Sequence, residues 1–540
     1  MWTRADIRLP ALLLSALLLC VPVTTQGQEG TSFERALGSF EPSEASAHVR
    51  YLADDRMMGR NTPSPELDSA AEYIAGQLRS FGVEPVEGSY FHSYRVRRED
   101  LGRPTFLSVD GEPVALREEF VPFEFTSSES VEGEACFVGF GLSRPDLGYD
   151  DYEGVDVRGK VVLAVAGGPS GFLVDGITGA ELDPGPREKM RWAEEHGAIG
   201  FLLVPSPLRS RLLRPSGYPW PSLFGTMGRD ALPLQLDVPW PFRRLPSASI
   251  SGPLAGRLLS MNSQDLTALV RRIDMTGMPE SRSLRHVVSL GITLDVMIDS
   301  VRNVVGIIPG REQSEQAVII GAHYDHVGHF QSIRQRGMVD ADTIYNGADD
   351  NASGCAALLM NARAFASLPI EERPRRSIVL LFFCGEEKGL FGSRSWVSDP
   401  RLALSRTVAM LNMDMVGRNG RDSIRVGGRS RSADLSMIVE RANRAEGMVM
   451  TSEPEEMFYR SDHASFASRG IPVLSFSSGP HSDYHKVGDE ADKVDTLKVA
   501  RVARLCFRAA WMIAESEEVP EYDGPRAPEP VLLSADDHDH

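Results

Sequence analysis

Apolar and polar positions change rhythm twice along the chain. In PELDSAAEYIAGQLRSFG (65–82), Leu67, Ala70, Ala71, Ile74 and Leu78 recur at helical spacing, which predicts a helix closed by Gly82. From about residue 118 to 262 the runs shorten. EACFVGFG, GKVVLAVA, IGFLLVPS and SASIS alternate with Pro- and Gly-rich turns, and one helical stretch, REKMRWAEEHG, precedes IGFLLV. That texture predicts a small strand-rich module inserted in a larger domain. Within it, LRPSGYPWPSLFGTMGRDALP reads as a long exposed loop.

From Arg302 the rhythm changes again. NVVGIIPG, AVIIGAHYD, SIVLLFFCGEE, TVAMLNMDMVG and IPVLSFSSG are too continuously apolar to have one wet face. Strands of that kind belong to a sheet covered by helices on both sides. SGCAALLMNARAFASL and DTLKVARVARLCFRAAWMIAES supply helices of the right length. The expected fold class is therefore α/β: a mixed sheet flanked by helices, with a small strand-rich insert. The expected boundaries are 28–117 and 263–520 for the main domain and 118–262 for the insert.

The two ends read differently. MWTRADIRLPALLLSALLLCVPVTTQGQEG has charged Arg4 and Arg8, an apolar core from Leu9 to Val21, and small or polar residues after it. This predicts an export signal over 1–27, with the mature chain starting near Gln28 in the periplasm or outside the cell. The apolar core is too short to span a bilayer, and bulky Leu19 before Cys20 argues against a lipid anchor. No other stretch reads as a transmembrane helix, so no stable membrane insertion is expected. The last residues, 521–540, are Pro-rich and acidic, which predicts a disordered tail. Cys136, Cys355, Cys384 and Cys506 are too sparse for a disulfide scaffold, and the middle two sit in apolar runs that suit core thiols. A net charge of -18 repels nucleic acid, and no Lys/Arg stripe opposes that conclusion.

Charge matters more where it interrupts the apolar runs. Several strand ends carry groups that can bind metal: His323, Asp325 and His326; Asp349 and Asp350 before a helix; Glu386 and Glu387; Asp414; and His481 and His485. Sites in open α/β sheets form at the carboxyl ends of strands. Burying so many carboxylates is costly unless cations compensate them. Imidazole mixed with carboxylate suits zinc. The residues alone leave the number of metals open.

HYDHVG (323–328), GADDNASG (347–354), CGEEKGLFGS (384–393), NMDMVG (412–417), YRSDHASF (459–466) and YHKVGDE (484–490) occur in that order. Together they resemble the co-catalytic zinc aminopeptidase superfamily, whose relatives include bacterial leucyl aminopeptidases, glutamate carboxypeptidase, the transferrin receptor and glutaminyl cyclases. GYDDYEGVDVRGKVVL likewise resembles a protease-associated domain. The resemblance implies two zinc ions per chain bridged by Asp350, with Glu387 and His485 completing one and His323 and Asp414 the other. It implies Asp325 hydrogen-bonded to His323, Glu386 as general base, and Tyr459 as a donor to the developing oxyanion. His326 is expected at the rim, Asp349 as a helix cap, and Arg60, Asp462 and His463 in structural roles; His481 is left out. The expected activity is hydrolysis of amino-terminal residues from peptides. A carboxypeptidase or dipeptidase, a glutaminyl cyclase-like acyltransferase and a non-catalytic binding protein stay open as alternatives, as does contact of substrate or partner with the insert.

Overall fold

The computed structural model describes residues 31–169, 185–210, 212–224, 232–239, 242–329 and 342–525. The expected export signal and residues 526–540 of the expected tail lie outside these. The main sheet takes β1 (Phe91–Leu101), β2 (Gln235–Leu236), β3 (Leu294–Ile308), β4 (Gln313–His323), β5 (Arg376–Phe383), β6 (Thr407–Met413), β7 (Ser423–Gly427), β8 (Val449–Ser452) and β9 (Val473–Ser477). Their order is β2-β1-β3-β5-β4-β6-β9-β7-β8, with Glu84–Pro85 paired to β3 at one side. The four strands β5, β4, β6 and β9 are mutually parallel, so their carboxyl ends share one edge.

The continuous apolar runs have the cause expected of them. In β5, Ile378, Leu380 and Phe382 enter one core while Val379, Leu381 and Phe383 enter another. Successive side chains of a strand point to opposite faces, so a strand covered twice has no polar position left. The first face is covered by α1 (Pro42–Leu52), α2 (Pro65–Ser80), α3 (Gly354–Ala366), α5 (Ala433–Glu446) and α6 (Thr496–Glu515); the other is covered by α4 (Phe391–Ser398) and the turn around Phe458 and Phe466. Ser64 caps α2 by accepting from Leu67 N, and Asp495 caps α6 by accepting from Lys498 N. Phe507 of α6 packs on Phe33, Phe40, Phe365 and Trp511. Truncating it to alanine should cost about 3–5 kcal/mol.

A second, eight-stranded sheet lies between Phe106 and Gly291 and has its own core, including Phe137, Leu163, Phe201, Ile250 and Val270. Strands β1 and β3 pair along their whole shared length, with Leu101 opposite Leu294. The chain thus leaves the main domain at one tip of an antiparallel ribbon and returns at the same tip. Segments on both sides of the expected 118–262 insert belong to this sheet, because Phe106–Val109 pairs with Arg282–Gly291. The stretch expected to be an exposed loop is partly buried: Trp220 is fully enclosed and donates from its indole to Pro122 O, 2.8 Å away. Beyond it Gln235 and Leu236 join the edge of the main sheet, while residues 225–231 of that stretch lie outside the described residues. The first residues of the expected tail are docked: Glu521 N donates to Asp434 Oδ2 (3.1 Å) and Asp523 N to Arg431 O (2.8 Å). No helix among the described residues is long and apolar enough to cross a membrane. Cys136, Cys355, Cys384 and Cys506 are all free and buried.

Candidate metal centre

Strand register brings the first group together. His323, the last residue of β4, pairs with Phe383, and Gly321 pairs with Asn412, so His323 is level with Asp414 just past β6. Asp414 N donates to Phe476 O, which holds it at the sheet edge. His323 Nε2 lies 3.3 Å from Asp414 Oδ1, 3.4 Å from Asp350 Oδ1 and 4.0 Å from Glu386 Oε2. The second group is beside it. His485 Nε2 is 3.2 Å from Asp350 Oδ2 and 3.1 Å from Glu387 Oε2, and His326 Nδ1 is 2.7 Å from Glu387 Oε1. Asp350 therefore faces both groups, one oxygen to each.

The Asp350 segment is held from two sides. Asp489 accepts the backbone N–H groups of Asp349 and Asp350 at 3.0 Å on one oxygen. Asn351 donates to Met413 O and accepts from Met415 N, Ser353 accepts from Val416 N, and Asp349 accepts from Gly417 N at 2.6 Å. The segments carrying Asp350 and Asp414 are thus joined side chain to backbone. A Cβ on Gly354 would collide with Asn351 Oδ1 and Met413 O, so this junction requires glycine there. Arg60, fully buried, donates to the carbonyls of Leu52, Tyr324, Asn346 and Gly347, fixing the loops after His323 and before Asp350.

Electrostatics separates the neighbouring glutamates. Burial pushes Glu386 well above the usual carboxylate range, and Glu387, Asp414 and Asp462 add to this. Burial and Asp350 also push Glu387 up, but hydrogen bonds to His326 and His485 bring it down to about 2. Burial draws His485 down, yet Asp350 and Glu387 carry it up to about 10. Asp350 is held well below its usual value despite burial, by His323 and His485.

The structure places the expected residues as follows. His323, Asp350, Glu386, Glu387, Asp414 and His485 converge. His326, expected at the rim, is fully buried against Glu387, and its Nε2 has no hydrogen-bond partner among the described residues. The Asp325 carboxylate is 3.8 Å from His323 Nδ1 and instead accepts from Glu386 N (3.1 Å) and Thr62 Oγ1 (3.0 Å); Nδ1 faces the Asp325 backbone carbonyl at 3.2 Å. Asp349 is no helix cap, since its oxygen is committed to Gly417 N. His481 lies in a loop behind the centre, 3.5 Å from Asp349 Oδ2. Tyr459 is 45 % exposed and packs on Phe458 and Arg431, outside both groups. The tyrosine beside the centre is Tyr484, stacked on His485 at 4.0 Å; burial, then Asp350 and Glu387, push its phenol up. Sequence reasoning passed over Tyr484 and Asp489, although both stand in the YHKVGDE stretch.

Two donor sets result: His326, Asp350, Glu387 and His485, and His323, Glu386 and Asp414, each with ligand atoms within 4.8 Å of one another. Imidazoles and carboxylates clustered in this number, buried or half-buried, fit two adjacent zinc ions. Residues 303–510, which supply every one of these donors, match the model of Peptidase family M28. The match covers 208 of the chain's 540 residues. The chain is 28 % identical over 371 residues to "Probable glutamate carboxypeptidase VP8" of Zea mays, covering 65 % of this chain and 47 % of that one. It is 28 % identical over 402 residues to "Probable glutamate carboxypeptidase AMP1" of Arabidopsis thaliana, covering 70 % and 52 %. The chain thus spans about half the length of the curated relatives it matches. Among solved structures, an aminopeptidase from Aneurinibacillus sp. strain AM-1 is 20 % identical, with 92 % of this chain and 98 % of that chain covered and a TM-score of 0.47.

A pocket adjoins the centre on the side of Asp414. Asn412, Met415, Arg425, Glu453, Met457, Arg460 and Tyr484 are among its walls.

Proposed function

We propose that this chain is an exported zinc-dependent aminopeptidase acting on peptides. The observation that carries the reading is Glu386, a largely buried carboxylate next to His323 and Asp414 whose oxygens make no hydrogen bond among the described residues. A group with that freedom and a raised proton affinity can accept a proton from water attacking the scissile carbonyl and return it to the leaving amine. Zinc held by the six other donors would supply an acidified water and a polarised carbonyl. Asp325 positions the base by accepting the Glu386 N–H, and Thr62 holds Asp325 in turn. Tyr484 opens on the adjoining pocket and takes the place of Tyr459 as the candidate donor to the developing oxyanion. Around the open side, the carboxylates Asp414, Glu386 and Glu453 favour a cationic α-amine. The second unit, which resembles a protease-associated domain, is proposed to bear on substrate or partner access.

One observation favours attack at the other terminus. Arg425 and Arg460 line the pocket beside Asp414, where guanidinium groups can hold a terminal carboxylate. The test is Glu386→Gln beside the wild type, with zinc counted by elemental analysis and turnover followed on free and N-blocked peptides. The aminopeptidase reading expects cleavage of free amino termini only, and a loss of at least ~10²-fold in kcat with zinc retained. Cleavage of N-blocked peptides from the carboxyl end would replace it with the carboxypeptidase. Full zinc without hydrolysis of any peptide would remove the peptidase reading.

A further inference from the structure

The loop between β9 and α6 carries a metal donor at its apex and is drawn together at its base. His485 has a φ of +52°, a left-handed conformation that a residue with a side chain holds only where its surroundings impose it. His481 stands four residues before it and Asp489 four residues after it. His481 Nε2 is 3.9 Å from Asp489 Oδ1 and 3.5 Å from Asp349 Oδ2, so both ends of the loop meet at Asp349, next to the shared carboxylate Asp350. Asp489 accepts the Asp349 N–H there, and Asp349 Oδ1 is committed to Gly417 N. That leaves Asp349 Oδ2 and His481 Nε2 facing each other, both buried and neither with a hydrogen-bond partner elsewhere among the described residues. The opposite side of the ring fixes the tautomer. Asp483 N donates to His481 Nδ1 (3.3 Å), which makes Nδ1 the acceptor and leaves the proton on Nε2. Arg418 completes the base: its Nη2 donates to Asp483 (2.7 Å), and its Nη1 lies 3.6 Å from Asp489 Oδ1.

We propose that His481 is a positioning residue of the metal centre: its Nε2–H closes the loop onto Asp349 and so holds His485 level with Asp350 and Glu387. The inference rests on the two donor sets binding zinc, and not on which end of a peptide is attacked. A hydrogen bond to a carboxylate is stronger than one between neutral groups, and a buried carboxylate oxygen left without a donor is costly. Partners of this kind set the orientation of metal ligands without binding the metal themselves. The consequence is selective. Of the seven donors the loop carries only His485, which belongs to the set with His326, Asp350 and Glu387. His323, Glu386 and Asp414 stand on other segments, and Asp350 keeps its own tie to Asp489. Loosening the loop therefore withdraws a ligand from one zinc ion and leaves the other's donors in place, whereas a general loss of stability weakens both.

The test withdraws zinc stepwise with a chelating dye from the loaded wild type and from His481→Ala, His481→Asn and His481→Gln. The amide N–H of a glutamine reaches about where Nε2 stands, while that of an asparagine reaches only as far as Nδ1. In His481→Ala and His481→Asn one zinc ion should bind at least ~10-fold more weakly with the other unchanged, and His481→Gln should recover most of the loss. Turnover of His481→Ala should be low at limiting zinc and rise toward the wild-type value in excess zinc, because every donor is still present. If His481→Ala does not fold, the contrast of His481→Gln with His481→Asn decides in its place. Nitrogen NMR on histidine-labelled wild type reads the ring itself, and a proton on Nε2 is expected. Both zinc ions weakened alike, neither weakened, recovery in His481→Asn rather than His481→Gln, or a proton on Nδ1 would each overturn the proposal. A wild type that holds no zinc would remove the metal centre on which the proposal rests.

Discussion

Glu386 and Glu387 are adjacent in the chain and opposite in chemistry. Two histidines hydrogen-bond Glu387 and hold it ionised, while Glu386 has only His323 at 4.0 Å, and burial and the neighbouring carboxylates outweigh it and push Glu386 toward the protonated form. His485 sets a prediction for pH. Its proton is retained up to about 10 by Asp350 and Glu387, and a metal ion must displace that proton to reach Nε2. Falling pH therefore strengthens the competitor, so zinc affinity should drop about tenfold per pH unit for each proton displaced. Competition against a chelating dye between about pH 6 and pH 8 checks this. A flat profile would mean that the metal is bound without His485 and His323.

At the scale of elements, the centre depends on how loops are tied to strand ends. His323, Glu386, Glu387 and Asp414 were legible as candidates because they stand just at or past the ends of apolar runs, a pattern that β4, β5 and β6 repeat, whereas Asp350 and His485 were singled out as ligands through the resemblance of the ordered motifs. His326 was misplaced to the rim because nothing local shows that Arg60 O accepts its N–H and that Glu387 covers its ring. Tyr459 and Tyr484 could not be ranked, since the turn through Phe458 points the first at Arg431. Asp349 reads as a cap by spacing alone, but its partner, Gly417, is 68 residues away. Long-range partners of this kind leave no periodicity. Asp489 is the clearest case: it touches neither donor set's ligand atoms, yet it accepts the N–H groups of Asp349 and Asp350. Asp489→Ala should weaken zinc binding about 10–100-fold, as loss of an orienting partner does, while leaving the circular dichroism of the helices near wild type. Unchanged zinc affinity would mean that the ties to Met413–Gly417 suffice without it.

For the whole molecule, the decisive feature is where the second sheet leaves the first. Its core residues run from Leu101 to Leu294 and form a cluster distinct from the two that sandwich the main sheet. Leu101 and Leu294 face each other across β1 and β3, so their backbones can be joined by a two-residue turn. All seven metal donors lie outside the enclosed segment. The main sheet would lose its edge pairing from Gln235–Leu236, the packing of Leu234 and Leu236, and the ties of Ser222 to Asp100 and Leu101, of Arg244 to Glu99 and of Asp237 to Arg95 and Arg97. Replacing residues 102–293 by Asn-Gly should therefore give a folded domain that binds the same number of zinc ions with a lowered melting temperature. Burial of Leu234 and Leu236 stabilises by about 1.5–3 kcal/mol each, which sets the scale of the expected loss. If the second unit only restricts access, long peptides should gain in kcat/KM relative to short ones. If it also holds substrate, kcat/KM should fall for all peptides with zinc unchanged. A truncated chain that cannot retain zinc would show instead that the two cores are one folding unit, and that the ribbon of β1 and β3 requires the second sheet to hold its register.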